Sequence, residues 1–274
     1  PEYPADDVRY VASVEEQIEN WKKVQLADVQ KVYTDFLGGQ HGELAIVGDF
    51  DPATARTWIE SVTKGWKASQ SYAHIPRSGD LAVTASREAI NIPDKENATY
   101  LAGSVFALKD SDPDYVPLMI GNYVLGSSGL SSRLGDRIRQ QEGLSYGVGS
   151  FLTASSEDPR TSFLMYAITN PDNMAKVETC MKEEVQRLID DGITADELAL
   201  AQKGYLERQT VDRSDDGELT RILCRTLELD RDMTFFRKQE TAVANLTLAD
   251  VSAALKKYIS LDRIVVVAAG DFAE

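Results

Sequence analysis

Histidine is nearly missing from these 274 residues, which contain only His41 and His74. Neither stands in a helical pair with an acidic residue between, so the HExxH and HxxEH zinc arrangements are both absent. A Ser-His-Asp centre lacks its base for the same reason, and no GxSxG elbow occurs. Cysteine is as scarce. Cys180 and Cys224 fall in predicted helices without CxxC spacing, which reads as two small buried hydrophobes and leaves the redox compartment open. Long apolar runs are lacking too: Ile264–Gly270 (IVVVAAG) reads as a buried strand, far short of the roughly 18–20 residues that span a bilayer. No membrane insertion is expected. Basic residues are outnumbered 29 to 44, leaving a formal charge of −15. That balance argues against a nucleic-acid backbone or an anionic membrane as partner. It suits solubility first and attraction of basic peptides second. The loop GSSGLSS lacks the lysine that a Walker-type phosphate loop requires. The chain opens at Pro1 without a signal-like segment, so its compartment, periplasmic or cytoplasmic, is not legible from this end.

What is present begins with a repeat. LADVQKVYTDFLGGQHGELAIVGDF (Leu26–Phe50) aligns without gaps to LADVSAALKKYISLDRIVVVAAGDF (Leu248–Phe272), matching LADV at one end and GDF at the other. Each copy reads as a helix, a short loop and an apolar strand. A period of roughly 222 residues is domain-sized, not a solenoid repeat. Since the second copy ends its unit, residues 1–66 are expected to be the tail of a preceding unit. Residues 67–80, rich in Ser, Gly and Pro and without periodicity, read as a linker. A complete domain is expected over 81–274.

In the tail, apolar spacing predicts helices around Ile18–Val24 and Leu26–Leu37, a strand over Glu43–Gly48, and a helix capped by Asp51-Pro52. In the second domain, LAVTASREAINI and ATYLAGSVFAL predict two strands, a hairpin or near neighbours, around PDKEN. Asp112-Pro113 opens a helix to Val124, and another runs from about Leu130 to Gln141. A second strand pair surrounds SSEDPR. Asn170-Pro171 caps a long helix with Met174, Val177, Met181, Val185 and Leu188 inward. Thr194 and Glu197 form a capping box for the next. Helices at about 215–228, 233–242 and 248–259 precede the last strand. Paired strands and runs of helices define an α+β fold, a largely antiparallel sheet with helices on one face.

The acidic residues Glu183, Glu184 and Glu197 read as solvated helix faces, with no pair singled out for hydrolysis. Attention therefore falls on GSSGLSSRLGDRIRQQEGLSYGVGS (Gly126–Ser150). Arg139 offers rigid donors suited to a carbonyl or carboxylate. Tyr146 can donate to a developing oxyanion, and the GVGS after it lets another backbone approach closely. The alternative is plainer: Arg139 pairs with the nearby Glu142, and Tyr146 packs in a sheet.

The motif SSRLGDRIRQQEGLSYGVGS resembles the non-catalytic half of the pitrilysin/insulinase-type zinc metallopeptidases, the inverted zincins that carry HxxEH. LADV…GDF is similar to that family's domain-ending helix-loop-strand, and ITADELALAQKGYLER to the helix that follows its signature. The resemblance implies tandem units of about 220 residues, one bearing HxxEH and zinc, the other supplying an arginine and a tyrosine spaced as Arg139 and Tyr146 are. It implies that Arg139 holds a substrate carbonyl and that Tyr146 donates to the oxyanion. The loop Gly126-Ser127-Ser128-Gly129 falls where related subunits keep a glycine-rich substrate loop, although here it is short. HxxEH itself is absent from this chain.

The expected function is the substrate-binding, non-catalytic half of a zinc endopeptidase. Its partners would be a zinc-bearing half, in the same parent chain or a separate subunit, and an extended or unfolded peptide. The chain itself would hold no cofactor. The competing expectation is a structural subunit of the same fold, serving assembly without proteolysis. The chain alone should cleave no peptide and bind no stoichiometric zinc, because it lacks a metal to lower the pKa of a water. Elemental analysis and a peptide-cleavage assay of the purified chain check this; cleavage or one zinc per chain contradicts it.

Overall fold

The structure, a computed structural model, describes residues 3–79 and 83–272. The expected domain start near Leu81 and the linker's last residue, Asp80, lie outside the described residues. The chain forms two compact units, Pro1–Pro76 with Asp216–Asp230, and Arg77–Asp215 with Arg231–Glu274.

The second unit is built on a five-stranded sheet. Its strands are β1 (Ser86–Asn91), β2 (Ala98–Phe106), β3 (Ser145–Ala154), β4 (Thr161–Thr169) and β5 (Val265–Gly270), in the order β1-β5-β2-β4-β3. Only the β1–β5 pair is parallel. The α+β fold with a mostly antiparallel sheet is therefore as expected. β3 and β4 form the predicted hairpin. β1 and β2 do not, because β5 lies between them, Val267 pairing with Glu88 on one side and Leu101 on the other.

One face of the sheet is covered. Ala98, Tyr100 and Ala102 of β2, Phe163, Met165 and Ala167 of β4, and Val266 and Ala268 of β5 are buried at alternate positions, as a half-buried strand requires. Against them pack residues of α4 (Tyr115–Asn122), α5 (Met174–Asp191) and α9 (Leu248–Tyr258). Val177, Met181, Val185 and Leu188 of α5 are all buried, as their spacing predicted. Burial of each large aliphatic side chain contributes on the order of 1.5–3 kcal/mol. α6 (Ala195–Asp212) starts at the Thr194–Glu197 capping box, and α8 (Met233–Ala244) completes the unit.

Two helix starts differ from expectation. Asp112 accepts the Lys109 N–H at 2.8 Å and so closes a turn, while α4 begins only at Tyr115. The helix predicted from Leu130 to Gln141 is split into a 3₁₀ turn at Gly129–Ser131 and a wider π-helical segment at Gly135–Gln141.

The first unit holds α1 (Val14–Lys23), α2 (Leu26–Phe36), α3 (Pro52–Thr63) and α7 (Asp216–Glu228). Ser13 with Glu16 caps α1, and the Asp51 carboxylate caps α3. No residue of α1, α2 or α3 is buried. The strand expected at Glu43–Gly48 does not form. The two repeat copies show why. Both helices start alike, Asp28 accepting the Gln25 N–H at 2.9 Å and Asp250 the Thr247 N–H at 3.0 Å. In the second copy the strand is β5, with β1 and β2 on either side. In the first copy residues 43–48 have no strand beside them among the described residues, and a strand without partners leaves its N–H and C=O groups to water.

Exposure follows the same division. Val251 is 0% exposed and its counterpart Val29 is 55%; Ile259 is 4% and its counterpart Leu37 is 48%. Ile259→Ala should therefore lower stability by about 2–5 kcal/mol. Leu37→Ala should change it by no more than about 0.5 kcal/mol. Denaturant unfolding followed by circular dichroism checks the pair, and equal losses contradict the assignment.

Candidate functional site

Two local irregularities place the candidate residues. The first is the π-helical segment, wide enough that the Glu142 N–H donates to the Arg137 carbonyl at 3.1 Å. The Leu144 N–H reaches the Ile138 carbonyl at 2.9 Å, and Gly143, at φ +64°, supplies the left-handed exit. Leu134 and Ile138 are the buried anchors of this stretch, and Arg139 stands on its exposed side.

The second is a β-bulge at the start of β3. Ser145 pairs with Thr169 and Gly147 with Ile168, so Tyr146 is the extra residue with no partner across the ladder. The Ser145 hydroxyl holds the bulge, donating to the Ile168 carbonyl at 2.6 Å and accepting the Gly147 N–H at 3.1 Å. The bulge turns Tyr146 outward, 62% exposed. Gly147 and Gly149, the small residues noted in the sequence, lie opposite Ile168 and Tyr166. Beside Gly147 there is room, an added Cβ meeting only Ile168 at 3.7 Å, whereas at Gly149 it would meet the Gly126 carbonyl and the Tyr166 ring at 3.0 and 3.1 Å. Further along, Phe151 stacks on Tyr166 with ring centroids 5.5 Å apart.

Neither the Arg139 guanidinium nor the Tyr146 hydroxyl has a hydrogen-bond or ion-pair partner among the described residues. The plainer alternative for Arg139 is thereby corrected. Glu142 is held instead by Lys176 at 2.7 Å and by Arg137 at 3.5 Å. The packed alternative for Tyr146 fails likewise, since the bulge lifts it away from its neighbours.

The loop divides in two. Gly126 is buried in a short π turn, Tyr123–Ser127, where an added Cβ would come within 2.4 Å of the Ser150 hydroxyl. It is a close-packing glycine. Ser127 and Gly129 are exposed and Ser128 is half-buried. Ser150 in turn donates to the Asn122 side-chain oxygen at 2.7 Å, tying β3 to the end of α4.

Sequence reasoning passed over Arg133. Its side chain is 8% exposed, and it grips Glu197 with Nε and Nη2, each at 2.7 Å, while Nη2 also donates to the Gly192 carbonyl at 2.9 Å. Glu197 is thus both the capping-box acid of α6 and the acceptor of a bidentate arginine. Glu184 is likewise no solvated face residue, being buried. The signal was the capping box itself, which gave Glu197 a backbone task but not its second partner.

No group of three or more His, Cys, Asp or Glu side chains able to hold a metal occurs among the described residues. His41 is exposed in a loop, and neither free cysteine shares a site with it. The donor set does not fit zinc.

Residues 23–205 match the family described as "Peptidase M16 inactive domain". A curated relative, the "Non-peptidase homolog YmxG" of Helicobacter pylori, is 31% identical over 119 residues, 43% of this chain and 27% of the relative. Among solved structures, the peptidase M16 inactive domain from Pseudomonas fluorescens has TM-score 0.74 and 21% identity. The match covers 92% of this chain and 59% of that one. A protease from Helicobacter pylori has TM-score 0.73 and 14% identity, covering 92% and 60%. At those identities the structures show the fold. The chain spans about a quarter of the curated relative and about three-fifths of these two structures.

Burial pushes the Glu197 carboxyl up, but the hydrogen bonds from Arg133 and the Thr194 N–H outweigh it and hold it below its ordinary value of 4.5. A carboxylate depressed in the folded state stabilises above its unfolded pKa, and that stability is lost as pH falls through the folded pKa. Wild type should therefore melt higher than Glu197→Gln at pH 7. The gap should close as pH drops below about 4.5. Thermal melts from pH 7 to pH 3 check this; a constant gap contradicts it.

Proposed function

The chain belongs to the peptidase M16 inactive-domain family, and from that membership we propose that it is the substrate-binding half of a zinc endopeptidase. In this reading it binds an extended peptide and lends Arg139 and Tyr146 to an active site whose metal is held by another half. The observation that carries the reading is the state of those two side chains. A π-helical segment and a bulge, both irregularities that proteins place beside functional sites, hold Arg139 and Tyr146 exposed and, among the described residues, unpartnered. An arginine left without a partner in a chain with 44 acidic residues is available to a ligand.

The chemistry assigned to this chain is limited to its own residues. Arg139 presents a planar fork that binds a substrate carbonyl oxygen. Tyr146 donates its phenolic proton to an oxygen that gains charge as the peptide carbonyl is attacked, and that interaction strengthens in the transition state. Gly147 beside it leaves room for the substrate backbone. Ser127, Ser128 and Gly129 are the loop residues open to a peptide. Zinc belongs to the partner half in this account, since this chain's donors do not fit it.

The partner half is supported by the exposed repeat copy. α2 and residues 43–50 carry the apolar pattern that α9 and β5 bury, yet leave it in solvent. The sheet and helix layer that would cover it is the occupant the pattern calls for.

A second reading, an assembly role without proteolysis, is favoured by one observation, that the curated relative is named a non-peptidase homolog. Reconstitution separates the two. Mixing this chain with an HxxEH-bearing half should restore zinc-dependent cleavage of an unfolded substrate. Tyr146→Phe should then lower kcat at least ~10-fold, on the order of one lost oxyanion donor. Arg139→Ala should chiefly raise KM. Unchanged kcat in the tyrosine variant sinks its assigned role, and a complex that forms without cleaving supports assembly.

A further inference from the structure

The covered face of the sheet is not filled evenly. In the β1–β5 pairing Arg87 lies beside Val266 and Ala89 beside Ala268, so the edge strand brings a charged and a small side chain to that face. Near this edge and α5 the packing leaves a cavity of about 300 Å³. Met165, Met181, Val185, Ile264 and Val266 form apolar walls, Tyr100 stands among them, and the half-exposed Arg87 and Lys182 mark the mouth.

One polar group in the wall lacks a partner. Tyr100 is 1% exposed, and its hydroxyl makes no hydrogen bond among the described residues. Ser104 Oγ is equally unpartnered but sealed; the Tyr100 hydroxyl keeps a little accessible surface, and that surface opens on the cavity. Burial first, then the Glu178 carboxylate, push its pKa up, with Arg87 opposing, so the phenol stays an uncharged donor.

Arg87, Lys182 and Glu178 set the charge beside it. Glu178 accepts from Arg87 Nε and from Lys182 Nζ, each at 2.9 Å. Neither Nη nitrogen of Arg87 makes a hydrogen bond among the described residues. Two bases against one acid leave one positive charge at the mouth, in a chain of formal charge −15. A buried water typically makes about three hydrogen bonds, which walls made mainly of methyl and methylene groups do not offer. An acceptor of negative charge joined to an apolar body meets the phenol, the guanidinium and the walls together.

We propose that this cavity binds a medium-chain aliphatic monocarboxylate, the free fatty acid class. Its carboxylate accepts from the Tyr100 hydroxyl and the Arg87 Nη nitrogens, and its tail lies against Met165, Met181 and Val185, the two methionines adapting to its shape. The volume is at the low end of small-molecule sites, which limits the length of the tail. The site shares no residue with the Arg139–Tyr146 surface and does not depend on the peptidase reading.

Isothermal titration of this 274-residue chain with octanoate tests it. Octanoate should bind once per chain with Kd below roughly 1 mM. Hexanoate, two methylenes shorter, should bind roughly 10-fold more weakly. Octylammonium, of the same length and opposite charge, should lose at least ~10-fold. Tyr100→Phe keeps the ring and should weaken octanoate at least ~10-fold, the loss of a hydrogen bond to a charged group. Should that variant not fold by circular dichroism, Arg87→Gln, on a half-exposed side chain, carries the same expectation. Equal affinity for octylammonium, or an unaltered Kd in the folded variant, would assign the binding to exposed apolar faces elsewhere. Either result, hexanoate binding as tightly as octanoate, or no saturable octanoate binding up to about 10 mM, would overturn the proposal.

Discussion

The second unit depends on β5 lying between β1 and β2. Its backbone hydrogen-bonds on both sides, in parallel to β1 and antiparallel to β2, while Val266 and Ala268 point into the core. Without it the sheet would separate into an isolated β1 and the three strands β2, β4 and β3. The first repeat copy shows the converse. The same helix-loop-strand sequence, capped by an aspartate in the same position, keeps its helix and leaves residues 43–48 irregular. Helices pair their backbone within the segment; strands need a neighbour. One sequence pattern thus gives two outcomes according to what lies beside it.

This explains much of what could and could not be read beforehand. Local signals were legible. The inward stripe of α5, the Thr194–Glu197 box and the β3–β4 hairpin follow from spacing and turn residues a few positions apart. The repeat exposed the domain logic because it is a comparison of the chain with itself. Non-local pairing was not legible. Nothing near PDKEN announces that a strand more than 160 residues later enters between its two flanking strands, and the hairpin reading fails there. Glu43–Gly48 read as a strand for the same reason, since propensity does not count partners. Glu184 read as solvated because one acidic residue in a helix carries no mark of the side chains from other elements that enclose it.

At the candidate site the residue types were legible and their support was not. Arg139 and Tyr146 stood out by chemistry and by resemblance. That one rides on a π-helical segment and the other on a bulge is set by hydrogen-bond registers that a sequence does not display. Those irregularities separate both side chains from their plainer partners, Glu142 being taken by Lys176 and Arg137. Arg133 was missed altogether. Its importance comes from meeting Glu197 across 64 residues, beyond the reach of any local pattern.

The exposed helices of the first unit have a spectroscopic consequence. All three tryptophans of the protein, Trp21, Trp58 and Trp66, belong to that unit, and the first two are mostly exposed. Tryptophan emission therefore comes from the smaller unit, whose helices leave their apolar faces uncovered, while the sheet unit is dark at that wavelength. A blue shift reports cover arriving over those faces, and the sheet can unfold without altering the indole signal directly. The molecule carries its own optical label for those exposed apolar faces.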